Sequence, residues 1–243
     1  MRLTVLGASG SVPGPDSACS GYLLEQDGHR VLLDCGSGVV SRLQRYCRIE
    51  ELDGIILSHL HADHMADMLV LRYALAIQRS LGRTLAPMPL YMPSTPEDVA
   101  RMLDYEGVFA IRYLTDGMST RLAGLDISFA RMEHSLEAYA TTARARGKKL
   151  VYSGDTLYNP RLVEAAQGAN LLLCEATTPG NGYAQGLPHM TAHQAAQVAA
   201  GGGARRLLLT HLWYEIPREE YEAEARRVFA GAETAEELAT YEV

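Results

Sequence analysis

The sequence predicts a mixed α/β fold: a sandwich of mixed β-sheets with helices on the outside, forming one domain over residues 1–243. Three observations predict it. Apolar runs of strand length outnumber helical segments, helices fall in both halves of the chain, and hairpin connections alternate with crossovers. Nearly half of the 243 residues are hydrophobic (47%), enough for a substantial core. The character of the first part recurs from Leu122 onward, so two similar halves are expected, about 1–121 and 122–243, with no linker-like or low-complexity stretch between them.

The chain opens in β-structure with "RLTVLG" and then "GYLLEQDGHRVLLDCG", where Asp27-Gly28 is a hairpin signal between two alternating runs. "SGVVSRLQRYC" has helical spacing of Val39, Val40, Leu43 and Tyr46, and the strand "LDGIILSH" follows. "MADMLVLRYALAIQRSLG" predicts a long helix stopping at Gly82, with Met65, Leu69, Tyr73, Ala76 and Ile77 as its core stripe. "TPEDVARMLDYEG" predicts a second helix, Thr95 at its N-cap and Pro96 in its first position. One strand is expected in the remainder of the stretch from Met65 to Asp126. Beyond it, "LDISFARMEH", "AYATTARA" and "KKLVYSGD" are strands, "NPRLVEAAQGA" is a helix capped by Asn159, and "NLLLCEAT" is a strand. "TAHQAAQVAAGGG" is a helix capped by Thr191 and ended by glycines; "ARRLLLTHLW" is a strand, "PREEYEAEARRVFAG" a helix opened by proline, and "LATYEV" the closing strand.

Composition narrows the function. The net charge is -7 and Lys and Arg are dispersed among Asp and Glu, which argues against a protein that grips a long polyanion. No apolar run reaches the roughly 18 to 20 residues that cross a bilayer, and "MRLTVLGASG" lacks the features of a signal peptide, so a cytoplasmic location is expected. Cys19, Cys35, Cys47 and Cys174 form no CxxC pair and are expected to be reduced, mostly buried thiols.

The chemistry is concentrated in "SHLHADHMAD", residues 58–67, which holds three of the eight histidines. His59, His61, Asp63 and His64 sit at the mouth of a strand, where neighbours in an extended segment face opposite ways and cannot all meet one tetrahedral ion. Two ions are the natural reading, His59 and His61 facing one and Asp63 and His64 the other. Each then lacks ligands. His134, Asp155 and His211 close three other apolar strands, where side chains are held by a sheet and projected into a cleft.

The series HxHxDH, a later strand-end His, the Asp of "SGDT" and the His of "LTH" resembles the metallo-β-lactamase superfamily, from Asp34 in "LLDCG" to His211. The resemblance implies a four-layer αββα sandwich with a dinuclear site at the edge of its sheets. It implies one metal on His59, His61 and His134, another on Asp63, His64 and His211, Asp155 bridging both, and Asp34 orienting the cluster from behind. Nitrogen-rich, thiolate-free ligation favours two Zn²⁺, and Mn²⁺ or Fe also accept such donors. Flavin-linked di-iron members typically have Glu at the position of His61.

Two such ions, roughly 3.5 to 4 Å apart, can hold a bridging hydroxide and polarise the scissile group, with Asp63 orienting the water. In "CEATTPGNGYAQGLPHMTAHQAAQVA", Glu175 and His189 resemble the Glu and the "HxTA" His of the ribonuclease Z-like branch, and "LGASGSVPGPDSACSGYLL" resembles its opening. That likeness makes both residues catalytic, His189 assisting at phosphate and Glu175 holding it. The branch's basic "PxKxRN"-type stretch, its Gly- and Pro-rich tRNA-gripping arm and its "GLPG" are missing here; the last reads "MADML". A small phosphodiester, such as a cyclic nucleotide or short oligonucleotide, is therefore expected in place of tRNA or other long nucleic acid. An ester, thioester, lactone or lactam is the alternative substrate and a non-catalytic metal-binding module the third reading; a homodimer fits the branch. Arg144, Arg146, Lys148 and Lys149 form a basic segment leading toward Asp155, read as a solvated hairpin tip or a phosphate-steering rim. Trp213 and Tyr214 can stack on a base or pack over the site, and His193 and His29 are surface residues.

Overall fold

Strands such as "LTVLG", "YLLEQ" and "LLLCE" have no polar face because both of their faces are covered. In the computed structural model, which describes residues 1–83, 85–180 and 186–243, they belong to two seven-stranded sheets packed face to face. In chain order the elements are β1 (Arg2–Gly7), β2 (Gly21–Gln26), β3 (His29–Leu33), α1 (Val39–Leu43), β4 (Gly54–Ile56), α2 (Ala62–Met65), α3 (Met68–Ser80), β5 (Met88–Met92), α4 (Glu97–Leu103) and β6 (Phe109–Tyr113). They continue with β7 (Ser119–Leu122), β8 (Leu125–Met132), β9 (Ala138–Ala145), β10 (Lys148–Tyr152), α5 (Pro160–Ala166), β11 (Leu171–Glu175), α6 (Ala192–Gly202), β12 (Leu207–Thr210), α7 (Arg218–Ala225), β13 (Ala232–Thr234) and β14 (Thr240–Glu242).

The first sheet runs β14-β1-β2-β3-β4-β5-β6 and the second β13-β12-β11-β10-β9-β8-β7. Three buried clusters account for four layers. Leu3, Val5, Tyr22, Leu24 and Leu33 of one sheet meet Phe129, Tyr152, Leu171 and Leu173 of the other. The alternate residues Leu23, Leu32 and Ile55 turn outward under α1, α3 and α4, while Val151, Leu172 and Leu209 turn outward under α5, α6 and α7. The order is αββα, as expected.

Local signals account for most element ends. Asp27 and Gly28 both take positive φ in the two-residue β2–β3 turn. Asn159 caps α5 by accepting from the Leu162 amide, and Thr191 and Gln194 form a reciprocal capping box on α6. The four cysteines are free and buried, and burial pushes the thiols of Cys19 and Cys47 up to about 12 and about 11.

Several expectations need correction. The buried face of α3 is Met68, Leu71, Leu75 and Ala76, with Met65 ahead of it, whereas Tyr73 is 57% exposed and Ile77 39%. Of the predicted stripe, Met65 and Ala76 are buried and Leu69 packs on the core, while Tyr73 and Ile77 face outward because this helix is apolar on almost every side. Thr95 does not cap α4: its hydroxyl donates to Glu137, Pro96 occupies the cap position, and Glu97 and Asp98 supply the negative charge of the first turn. Among the described residues between Met65 and Asp126 there are three strands, β5, β6 and β7, and β13 was not anticipated. The start "MP" disguised β5, although its ladder to β4 begins only at Leu90, after the proline.

The basic segment lies at the β9–β10 turn, where Arg146 and Gly147 have positive φ and Arg146 pairs with Asp27 of the β2–β3 turn at 2.9 Å. β10 runs from that turn toward Asp155, so Arg144, Arg146, Lys148 and Lys149 occupy the opposite end of the sandwich from Asp155. They form a solvated hairpin tip and no rim to the cleft.

The corrected helix register carries its own test. Leu71→Ala should lower the urea-unfolding free energy by about 2–5 kcal/mol, and Tyr73→Ala should change it by no more than about 0.5 kcal/mol. Equal losses at the two positions would contradict the register.

Candidate metal centre

Strands β1, β3, β4, β8, β10, β11 and β12 all end at one edge of the sandwich, because β1 and β3 each lie antiparallel to β2, and β8 and β10 each lie antiparallel to β9. The sequence places its titratable side chains just past those ends: Asp34 after β3, His59 and His61 after β4, His134 after β8, Asp155 after β10, Glu175 at the end of β11 and His211 directly after β12. Asp34 and His211 both take left-handed backbone conformations (φ 55 and 57), uncommon outside glycine although Asp and His tolerate them better than most, which turns the chain sharply at the strand end. The single turn of α2, with His61 at its N-cap, rotates Asp63 and His64 away from the direction of His59 and His61.

The result is two adjoining groups. His59, His61, His134 and Asp155 each offer a ligand atom within 4.8 Å of the others, and Asp63, His64, Asp155 and His211 do the same. Asp155 belongs to both. A third group, Glu175, His189 and His211, adjoins the second. All nine side chains singled out from the sequence, seven for metal and two for catalysis, are thus brought together at one edge.

Hydrogen bonding behind the cluster dictates which nitrogen each imidazole presents. Nδ1 of His64 lies 2.7 Å from Asp34 Oδ2, to which it must donate. His134 Nδ1 donates to the Pro188 carbonyl at 3.0 Å. The Ser58 hydroxyl donates to Asp34 and so accepts from His59 Nδ1; the Thr177 hydroxyl donates to Glu175 and so accepts from His211 Nδ1. In each ring Nε2 is the nitrogen turned inward. Nε2 of His59 and of His134 lie 3.0 and 3.1 Å from His61 Nδ1, and one ring proton at most can satisfy such a trio. In the second group, His64 Nε2 and Asp155 Oδ1 are buried, 3.3 Å apart and without a hydrogen-bond partner among the described residues. Converging lone pairs and orphaned buried polar atoms suit a cation, so the donor set fits a metal site.

Electrostatics agree for the first group; in the second, against its burial, Asp155 and Asp34 raise His64 well above the ordinary histidine range, so a metal bound there would displace its Nε2 proton. Burial holds His59 well below the ordinary histidine range and His134 down to about 4, keeping both neutral and able to ligate. Burial works against a charge on Asp155 too, but His211, His64 and His59 around it hold its carboxyl well below the usual range. For Asp63, burial is likewise outweighed by the His211 hydrogen bond and the charge of His64. His189 is raised: against its burial, the hydrogen bond to Glu175 at 3.2 Å and the charges of Glu175 and Asp155 favour the imidazolium. Glu175 is fully buried and also accepts from the Thr156 and Met190 amides and the Thr177 hydroxyl.

Some functional contacts were not foreseen. The Tyr152 hydroxyl donates to Asp34 at 2.6 Å, and the Ser11 amide donates to Asp63 at 2.8 Å. Only the adjacency of Ser58 to the histidine run and of Thr177 to Glu175 could have flagged the two hydroxyls. Gly36 and Gly10 allow the close approach: a Cβ at Gly36 would stand 1.9 Å from the Asp63 carbonyl, and one at Gly10 2.5 Å from His211 Nδ1. Trp213 donates to Glu215 and packs beside Tyr214 with ring centroids 5.4 Å apart. His29 forms a surface pair with Asp53. No helix among the described residues is long and apolar enough to cross a membrane.

Comparison with known proteins agrees with this geometry. Residues 29–212 match the family profile described as "Beta-lactamase superfamily domain". The chain is 32% identical to the probable metallo-hydrolase YhfI of Bacillus subtilis over 233 residues, 95% of each chain. The crystal structure of that metallo-β-lactamase fold protein superposes with a TM-score of 0.95 at 29% identity, covering 100% of this chain and 99% of the other. Ribonuclease Z of a Bradyrhizobium species is 30% identical over 294 aligned residues, 98% of each chain.

Removing one acceptor behind the cluster should weaken metal binding without dismantling the sheets. For Asp34→Asn and, separately, Thr177→Val, zinc affinity measured by competition with a chromogenic chelator should fall roughly 10–100-fold, with the far-ultraviolet circular dichroism unchanged. Unaltered affinity in both folded variants would show that these acceptors do not set the ligands.

Proposed function

The chain belongs to the metallo-β-lactamase superfamily, and from that premise we propose that it is a dinuclear metal-dependent phosphodiesterase acting on a small phosphodiester or nucleotide. The observation that carries the reading is the Glu175–His189 pair at the flank of the cluster, with His189 stacked on His211 at 5.1 Å between ring centroids. Hydrolysis of a carboxyl ester does not call for a half-buried, carboxylate-backed imidazolium next to the metal ligands. Attack on a phosphodiester does, since negative charge builds on the phosphoryl oxygens and on the leaving oxygen. Similarity to ribonuclease Z supports the same reading.

His59, His61 and His134 would hold one ion, Asp63, His64 and His211 the other, with Asp155 shared. Zn²⁺ suits this nitrogen-rich donor set, and Mn²⁺ or Fe are the alternatives. Bound there, the ions supply Lewis-acid activation of water and of the phosphoryl oxygens. Asp63, fixed by the Ser11 amide, orients the attacking water. His189 gives its Nδ1 proton to the hydrogen bond with Glu175, and its Nε2 proton is available to the leaving oxygen. Glu175, held by the Thr156 and Met190 amides, keeps the ring in register. From α3 to β7 the chain is taken up by compact helices and strands, with no extended arm among the described residues, which supports a small substrate over tRNA.

One observation favours a second reading, hydrolysis of a carboxyl-type substrate: Glu175 is satisfied by three donors besides His189 and could serve as scaffold. Initial rates on bis(p-nitrophenyl) phosphate separate the two. A Zn²⁺- or Mn²⁺-dependent rate is expected, abolished in Asp63→Ala and reduced roughly 10²–10⁴-fold in His189→Ala. No rate above the Asp63→Ala control, together with metal-dependent cleavage of p-nitrophenyl acetate that survives His189→Ala, would replace the phosphodiesterase by a carboxyl-ester hydrolase.

A further inference from the structure

The loops that carry the cluster contain no lysine or arginine. Residues 8–18, 57–67, 133–137, 153–159, 176–180, 186–190 and 211–216 include none, and the arginines that flank them are engaged elsewhere. Arg131 pairs with Glu137 at 3.3 Å, Arg161 with Asp116 at 2.7 Å, and Arg218 donates to the Ala235 carbonyl. The backbone amides of the 8–18 loop offer little in their place. Gly10 donates to Leu212, Ser11 to Asp63, and Val12 back to Gly10.

The same loops expose apolar side chains. Val12, Leu157, Leu187 and Tyr214 are 40 to 47% exposed. Each stands within three residues of a group tied to the cluster: Val12 beside Ser11, Leu157 two after Asp155, Leu187 two before His189 and Tyr214 three after His211. They come from four different loops, those after β1, β10, β11 and β12. Leu157 is tied through its amide to the carbonyl of Glu133, next to His134, and Tyr214 lies against Gly14 of the loop that holds Asp63. The exposed charges interleaved with them, Glu133 and Glu215, are negative.

We infer that this collar selects phosphodiesters that carry a single negative charge and at least one apolar or aromatic substituent, and turns away substrates with a second phosphate; the inference rests on the phosphodiesterase reading. The diester's one charge is met inside the cleft by the metal ions and His189. A second phosphate, whether a terminal monoester, a pyrophosphate or the next link of a polynucleotide, would have to lie among uncharged surface and carboxylates, with no cation to pair with. An aryl or nucleoside substituent instead covers apolar surface that otherwise faces water.

A matched pair of substrates with one chromophore tests this. Metal-loaded protein is assayed on thymidine 5′-(p-nitrophenyl phosphate) and on the same compound bearing a 3′-phosphate. The expected result is a kcat/KM lower for the 3′-phosphorylated compound by roughly tenfold or more, with the gap narrowing in Glu133→Lys and Glu215→Lys. In Leu187→Ala and Tyr214→Ala, KM for the p-nitrophenyl diester should rise while the KM for methyl phosphate diesters of the same leaving group rises less. Equal kcat/KM for the pair, or preference for the 3′-phosphate, overturns the charge selection; an unchanged KM in both collar variants overturns the collar. Turnover of neither compound falls on the phosphodiesterase reading itself and removes this inference with it.

Discussion

A carboxylate wholly removed from water has to find its hydrogen bonds within the protein, and Asp34 finds them in both sheets. Its Oδ1 accepts the Ser58 amide, and its Oδ2 accepts the Ser58 hydroxyl, His64 Nδ1 and the Tyr152 hydroxyl. Ser58 and His64 follow β4 of the first sheet, while Tyr152 ends β10 of the second. One side chain therefore locks the two sheets at the edge where the cluster stands. It also dictates the tautomer of His64 directly and, through the Ser58 hydroxyl, that of His59. Remove the charge and the inward-facing nitrogens lose their assignment; the rest of the edge depends on it.

From that constraint the division of labour follows. The strands supply rigid positions, the residues just past them supply donors, and polar groups one layer further out decide which atom of each donor faces the centre. The Thr177 hydroxyl is the counterpart of Ser58 on the other side: it donates to Glu175 and accepts from His211, so the group that orients a metal-ligand candidate is also tied to the partner of His189. One hydroxyl thus joins the Glu175–His189 pair to the metal-ligand candidates. The acidic, apolar rim is the outermost layer of the same arrangement.

Much of this was legible in the sequence. Strands ending in His, Asp or Glu stand out because an apolar run abruptly yields a polar residue, and the spacing of HxHxDH forces two directions from one turn. The capping residues Asn159 and Thr191 and the Asp27-Gly28 turn depend on local geometry alone and were readable for that reason. What escaped depends on contacts between distant segments. The face of α3 was misread since Val70, Tyr73 and Ile77 are as apolar as Leu71 and Leu75, leaving periodicity nothing to distinguish. Thr95 has the right residue type for a cap but is drawn off by Glu137, and the orienting roles of Tyr152, Ser58 and Pro188 exist only once the strands are side by side.

The account stands or falls on two metal positions sharing Asp155. Anomalous diffraction from crystals of the zinc-loaded protein tests it most directly. Two peaks are predicted, one surrounded by His59, His61, His134 and Asp155 and the other by Asp63, His64, Asp155 and His211. A single ion, or an ion ligated by Glu175 and His189, would contradict it.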